Sequence, residues 1–124
     1  MTKKILIVED EVIIAMEYRM DLAMSGYMDV SIVSTASEAI NRADRDKPDL
    51  IIMDIKLKGD FSGIYAATQI RKKSNVPILF ITGTSDANVV EQVKALKYSI
   101  ILLKPTRTKD MLVEIKKIFN LSNF

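Results

Sequence analysis

Five side chains in this sequence sit where chemistry could be done, and each closes a short apolar run. Glu9 and Asp10 end "KILIVED", Asp54 ends "DLIIMD", Thr82 ends "VPILFIT" and Lys104 ends "YSIILLK". A buried carboxylate without a partner is costly, so a strand-like run that closes on an acid needs a use or a counter-charge for it. Three carboxylates brought together repel one another, and the cluster is stable only with a cation or with protonation. Hard oxygen donors suit Mg²⁺, which takes one or two carboxylates, keeps several waters and adds phosphate oxygens. Lys104 can pair with a phosphoryl oxygen as a point charge, and Thr82 can hydrogen-bond another. An aspartate beside Mg²⁺ and a lysine can attack a phosphoryl group in line.

Each of these residues also has an ordinary reading when taken alone. An acid pair after a strand suits the positive end of a helix macrodipole, and Glu11 is read in that way only. Asp54 can cap the loop that follows it. Thr82 is a common strand-end hydroxyl, and "KP" at 104–105 is a common strand exit. The joint pattern favours chemistry, provided the fold brings these strand ends to one rim.

The order of elements provides that rim. Strands are predicted at 4–10, 29–35, 49–54, 76–82 and 98–104, and helices at 11–26, 37–47, 62–74, 85–97 and 106–121. Gly26 reads as a helix stop, Ser37 as an N-cap, and Pro48 as the end of the second helix. Pro77 stands near the start of its strand, where a missing N–H is tolerated. Strands alternating with helices of this length form a parallel sheet, because each return crossing needs a helix over one face. The first, third, fourth and fifth strands are apolar on both faces, as central strands are, whereas "DVSIVST" alternates like an edge. The expected fold is α/β, a doubly wound sheet in the order 2-1-3-4-5. In that order the chain reverses between strands one and three, and ligands sit at the carboxyl ends there. The acids, Thr82 and Lys104 all fall on that rim.

Composition closes off other classes of function. With 124 residues, 48% of them hydrophobic and 27% charged, the chain is one ordinary globular domain. The formal net charge is +2, and the short "KK" and "RKK" runs are separated, so no nucleic-acid-binding stripe is expected. "YSIILLKP" is too short to span a membrane, and no signal peptide is expected, because Lys3 and Lys4 lead straight into a strand-like run with no cleavage site. Without cysteine or histidine there are no disulfides, thiolate sites, catalytic triads or histidine able to carry a phosphoryl group. Neither G-x-G-x-x-G nor a P-loop occurs. The methionines are read as packing rather than as a binding surface.

"ILIVEDE", "PDLIIMDI", "PILFITG" and "ILLKP", in this order and spacing, resemble the receiver domain of two-component response regulators over essentially the whole chain. The resemblance implies a flavodoxin-like (βα)5 fold and a receiver domain over 1–124. Only "SNF" follows the last helix, so no attached output domain is expected, and the chain is either a stand-alone receiver or a fragment of a longer protein. It implies that Asp54 is the phosphoacceptor and that Mg²⁺ is held by Glu9, Asp10, Asp54 and the backbone carbonyl of Lys56. Thr82 would be the switch hydroxyl, and Lys104 the contact to the phosphoryl group. The implied partners are a histidine kinase or histidine phosphotransfer protein and an unidentified downstream protein, in the cytoplasm. A homodimer through the face of helix four, strand five and helix five, roughly residues 85–120, is a further expectation. The sequence departs from the family at Ile101, where a switch aromatic is usual; Tyr98 falls at the wrong spacing. Gly63 stands nine positions past Asp54, and Lys56 and Thr84 occupy the variable positions that tune phosphoryl loss. Two other readings remain: a docking module that is never phosphorylated, and an aspartyl-phosphate phosphatase. The second is disfavoured by Lys56 standing where such enzymes carry an acid.

Overall fold

A computed structural model describes residues 2–58 and 62–121; the expectations that fall on 59–61 and 122–124 lie outside the described residues. Five strands, β1 (Lys4–Val8), β2 (Asp29–Val33), β3 (Leu50–Met53), β4 (Ile78–Thr82) and β5 (Ser99–Leu103), alternate with five helices. These are α1 (Val12–Met24), α2 (Ala36–Asp46), α3 (Ser62–Arg71), α4 (Ala87–Lys94) and α5 (Thr108–Leu121). All strand pairs are parallel, in the order β2-β1-β3-β4-β5. The doubly wound α/β fold read from the sequence is the fold observed.

Alternation along each strand divides the core into two layers. Leu6, Val8, Ile51, Met53, Ile78 and Phe80 pack against Ala39 and Ala43 of α2, Ala66, Ala67 and Ile70 of α3, and Val89 and Val93 of α4. Ile5, Ile7, Leu50, Ile52, Leu79 and Ile81 pack against Ala15 and Leu22 of α1 and Met111, Ile115, Ile118 and Phe119 of α5. Each fully buried aliphatic side chain contributes about 1.5–3 kcal/mol, so β1, β3 and β4, covered on both faces, carry much of the stability.

Helix ends follow local chemistry. Gly26 adopts φ 94°, and the N–H groups of Gly26 and Tyr27 bond to the carbonyls of Ala23 and Leu22, which closes α1. The second helix is capped by Thr35, not by Ser37. Thr35 Oγ1 accepts from the Glu38 N–H, and the Glu38 carboxylate accepts from the Thr35 hydroxyl. The T-x-x-E spacing at 35–38 therefore sets the start two residues earlier than Ser37 would. Lys47, left-handed at φ 49°, and Pro48 end α2. The fourth helix is shorter than expected because Asp86 caps it and Ala95 ends it.

Two surface features depart from the sequence reading. The composition of β5 reads as that of a strand covered on both faces, but β5 takes the edge that the expected order gives it, and Leu103 is 54% exposed. The methionines are not chiefly packing: Met53 and Met111 are buried, whereas Met16, Met20, Met24 and Met28 are exposed.

Candidate phosphoacceptor site

The register of the sheet sets the site. Val8 pairs with Met53, so the next residues along, Glu9 and Asp54, emerge side by side at the carboxyl ends of β1 and β3. Their backbones are pinned: the Asp54 N–H donates to the Val8 carbonyl and the Glu9 N–H to that of Val33, both at 3.0 Å. Glu9 continues the alternation of Ile5 and Ile7, Asp54 that of Leu50 and Ile52, and Lys104 that of Ile100 and Leu102. All three side chains therefore lie on the α1–α5 side of the sheet. Lys104 Nζ stands 3.4 Å from Glu9 Oε1 and 3.6 Å from Asp54 Oδ2, one ammonium between two carboxylates.

Asp10 completes the acidic group. Carboxylate oxygens of Glu9, Asp10 and Asp54 lie within 4.8 Å of one another, a spacing that one divalent ion can bridge. The β3–α3 loop reaches over to hold Asp10, whose Oδ2 accepts from the Lys58 backbone N–H at 2.7 Å. Lys58 has φ 52°. Lys56, two residues past Asp54, donates its N–H to Asp54 Oδ1 at 3.4 Å. Glu11 acts through its backbone, donating to Glu9 Oε2 at 3.2 Å, and stands at the α1 N-cap without a side-chain cap bond.

Burial sets the electrostatics. Glu9 is only 3% exposed and Asp54 8%. Desolvation pushes the Glu9 carboxyl up to about 7, with the Asp54 charge adding to the rise and Lys104 opposing it. Asp54 is likewise raised by burial, against the pull of Lys104. For Asp10, burial is outweighed by hydrogen bonds led by that from Lys58, and its carboxyl sits below the ordinary range. Burial also works against the Lys104 charge, but Asp54 and Glu9 more than restore it and hold its pKa up. One lysine cannot neutralise three acids in so dry a place, and an all-oxygen donor set with an excess of negative charge suits a hard divalent cation.

The remaining predicted residues divide. Thr82 reaches the same rim and is fully buried, but it alternates with Ile78 and Phe80 onto the α2–α4 side. Its Oγ1 accepts from the Thr84 N–H at 3.3 Å, and its carbonyl accepts the Lys104 N–H at 2.7 Å. Ile101 is not brought to the acids: it pairs in register with Phe80 and packs against the layer holding Val89 and Val93. Tyr98 lies at the opposite end of β5, its ring 5.7 Å from the Arg71 guanidinium.

Two contributors were not legible beforehand. Lys58 acts through a backbone N–H, which leaves no side-chain signal. Gly63 packs so closely that a Cβ there would overlap the Asp54 carbonyl and approach the Ile55 Cα to 2.7 Å. A glycine nine residues past the acid was visible in the sequence, but its contact was not.

Known proteins agree with this architecture. The family model for the response regulator receiver domain matches residues 5–116. The transcriptional regulatory protein PdtaR of Mycobacterium tuberculosis is 34% identical over 114 residues, which are 92% of this chain and 55% of that protein. PhoP, the alkaline phosphatase synthesis transcriptional regulatory protein of Bacillus subtilis, is 40% identical over 87 residues, 69% of this chain and 35% of its own length. The chain thus spans about half or less of these relatives. Among solved structures, a CheY-like receiver domain protein from Methanospirillum hungatei superposes with a TM-score of 0.90 at 26% identity, covering 99% of this chain and 98% of that one. By sequence and by fold, this chain belongs to the response regulator receiver domain family.

Proposed function

We propose that the chain is a phosphorylation-controlled switch in which Asp54 accepts a phosphoryl group from a phosphohistidine on a partner. The observation that carries this reading is the arrangement of Lys104 between Asp54 and Glu9, with Asp10 completing a three-carboxylate group. In the transfer, the N–P bond of the donor breaks and its electron pair stays on the imidazole nitrogen. An Asp54 carboxylate oxygen forms the new P–O bond. Glu9, Asp10, Asp54 and the Lys56 carbonyl would hold Mg²⁺, which when bound offsets the charge of the incoming phosphoryl oxygens. Lys104, already held toward Asp54, pairs with one phosphoryl oxygen, and Thr82 is the hydroxyl that answers the new charge. The chain contains no histidine, so the donor is another molecule: a histidine kinase, a histidine phosphotransfer protein or a small phosphodonor.

In this reading the chain catalyses only its own charging and discharging, in the cytoplasm, and signals through protein contacts. No helix among the described residues is long and apolar enough to cross a membrane. The face of α4, β5 and α5 is the proposed output and homodimer surface, and the exposed Leu103 and Val113 supply apolar contact there.

The test is intact mass after incubation with acetyl phosphate, with and without Mg²⁺. One phosphoryl group per chain is expected with Mg²⁺, and none in Asp54→Asn or in EDTA. Labelling that survives Asp54→Asn would sink the assignment.

A further inference from the structure

Of the ten large apolar side chains left exposed among the described residues, six stand on α1 and the turn after it: Val12, Ile13, Met16, Met20, Met24 and Met28. Val12, Met16, Met20 and Met24 follow one another at i, i+4 and form one ridge along the outer face of the helix. Met24 is 82% exposed, and an apolar patch of this extent marks an interaction surface. Beside the ridge runs α5. Both helices return from the carboxyl rim of a parallel sheet, so they point the same way. The Thr108 hydroxyl donates to Asp21 Oδ2 at 2.7 Å, and farther along the Tyr27 and Phe119 rings stand 5.6 Å apart. The furrow between the two helices has walls of opposite charge. Glu17 shares a flank of α1 with Asp21, one turn away, and so faces α5. Lys109, Leu112 and Lys116 line a shallow hollow together with Thr108, on the flank of α5 turned toward α1. Among the described residues Glu17, Lys109 and Lys116 make no ion pair, so the two walls do not neutralise each other within one chain.

We propose that this face binds a second copy of the same chain, about a two-fold axis that runs along the furrow, parallel to α1 and α5. Such an axis lays α1 of each copy over α5 of the other, and every contact occurs twice. The acidic wall of one copy then meets the basic wall of its partner. An axis set across the helices would instead lay α1 on α1 and acid on acid, so charge selects the first arrangement. The contact between Thr108 and Asp21 fixes the level of the two helices. Helical side chains lean toward the N terminus of their own helix, which carries the Lys109 ammonium up toward the partner's Glu17. The ridge of Met16, Met20 and Met24 packs on the partner's Leu112 and on the methylene stems of the two lysines, and flexible thioethers suit such an uneven surface. A second copy is the occupant favoured because this one surface carries both complementary walls. The inference asks nothing of Asp54 and is independent of the phosphoacceptor reading. The face proposed for output lies on the opposite flank of α5, at Asp110 and Glu114, and stays uncovered.

The experiment is sedimentation velocity of the full chain, unphosphorylated, over a concentration series. Wild type is expected to be monomeric at about 1 μM and mostly dimeric by about 500 μM. Met24→Lys sets a charge on the ridge and keeps the chain monomeric throughout. Met20→Lys does the same and stands in should the first variant fold poorly. Glu17→Lys raises the dissociation constant about tenfold, as does Lys109→Glu. Combined in one chain, the two reversals again set acid against base and bring the constant back to within about threefold of wild type. Leu103→Lys, at the edge of the sheet, leaves association unchanged. Wild type that stays monomeric at the top of the series overturns the proposal and leaves the methionine ridge to a different protein. A double reversal no tighter than either single one overturns the axis. Loss of the dimer in Leu103→Lys, with its retention in Met24→Lys and Met20→Lys, also overturns the proposal and assigns the contact to the face of α4, β5 and α5.

Discussion

Buried beside Asp54 and shared with a single lysine, the Glu9 carboxyl takes up a proton far more readily than it would in the unfolded chain. Its pKa rises from 4.5 to about 7, with desolvation as the main cause. Between those two values the folded state binds more protons than the unfolded state, so stability falls as pH rises across the window. The raised Asp54 acts in the same sense. The loss assigned to Glu9 is on the order of 2 kcal/mol. In EDTA, the midpoint of thermal unfolding is therefore expected to drop between pH 5 and pH 7.5. Glu9→Gln, which keeps the shape and removes the charge, should flatten that slope and exceed wild type in stability at pH 7.5. A wild-type midpoint that climbs over the same range would contradict the assignment. The residue is thus held at a cost to the fold, as expected where an acid is kept for binding a cation rather than for packing.

At the scale of elements, α3 fixes the loop that follows Asp54 through its first turn. The Gly63 N–H donates to the Ile55 carbonyl at 2.9 Å, and the missing side chain lets the helix lie against the Asp54 and Ile55 backbone. Gly63→Ala must push that backbone away, which by analogy with overpacked cores costs about 1–3 kcal/mol. Denaturant unfolding should show the loss, and the labelling rate with acetyl phosphate should fall because Asp54 moves. An unchanged rate together with unchanged stability would show that the loop yields freely. What the sequence revealed of these elements follows from periodicity. Short apolar runs set between longer amphipathic segments marked all five strands, and the four strand-end motifs marked Asp54 and the residues gathered around it. The outer face of α1 was illegible for a physical reason. Ala15, Tyr18 and Leu22 turn inward while Val12, Ile13, Met16, Met20 and Met24 turn outward, so the helix is apolar on both sides and no stripe identifies the core. Composition likewise made β5 look central, because an edge strand covered by two helices remains largely apolar. Leu22→Ala should cost about 2–5 kcal/mol, whereas Met20→Lys should stay within about 0.5 kcal/mol, by denaturant titration.

For the whole molecule, the proposed cation site in the acidic pocket would make folding and cation binding one equilibrium. The three carboxylates come from two strand ends and from a loop junction held by the Lys58 N–H, so no part of the site survives unfolding. A cation that binds only the folded chain stabilises it by mass action, about 2.7 kcal/mol at a hundred times its dissociation constant. For a domain of this size that amounts to roughly 5–12 °C in unfolding midpoint. Protons compete for the same oxygens. Near pH 5 Glu9 is already neutral, and the cation must displace its proton; at pH 7.5 the carboxylates are mutually repelling and the cation relieves them. The stabilisation by Mg²⁺ is therefore expected to be larger at pH 7.5 than at pH 5 and to cancel most of the pH-dependent loss seen in EDTA. Asp10→Asn, at the acid held ionised at both pH values, should remove most of the Mg²⁺ effect at either pH. Thermal unfolding at two pH values, with Mg²⁺ or EDTA, measures all four corners of this cycle. A Mg²⁺ shift equal at both pH values would mean that the cation does not share oxygens with Glu9, and would move it out of the three-acid pocket.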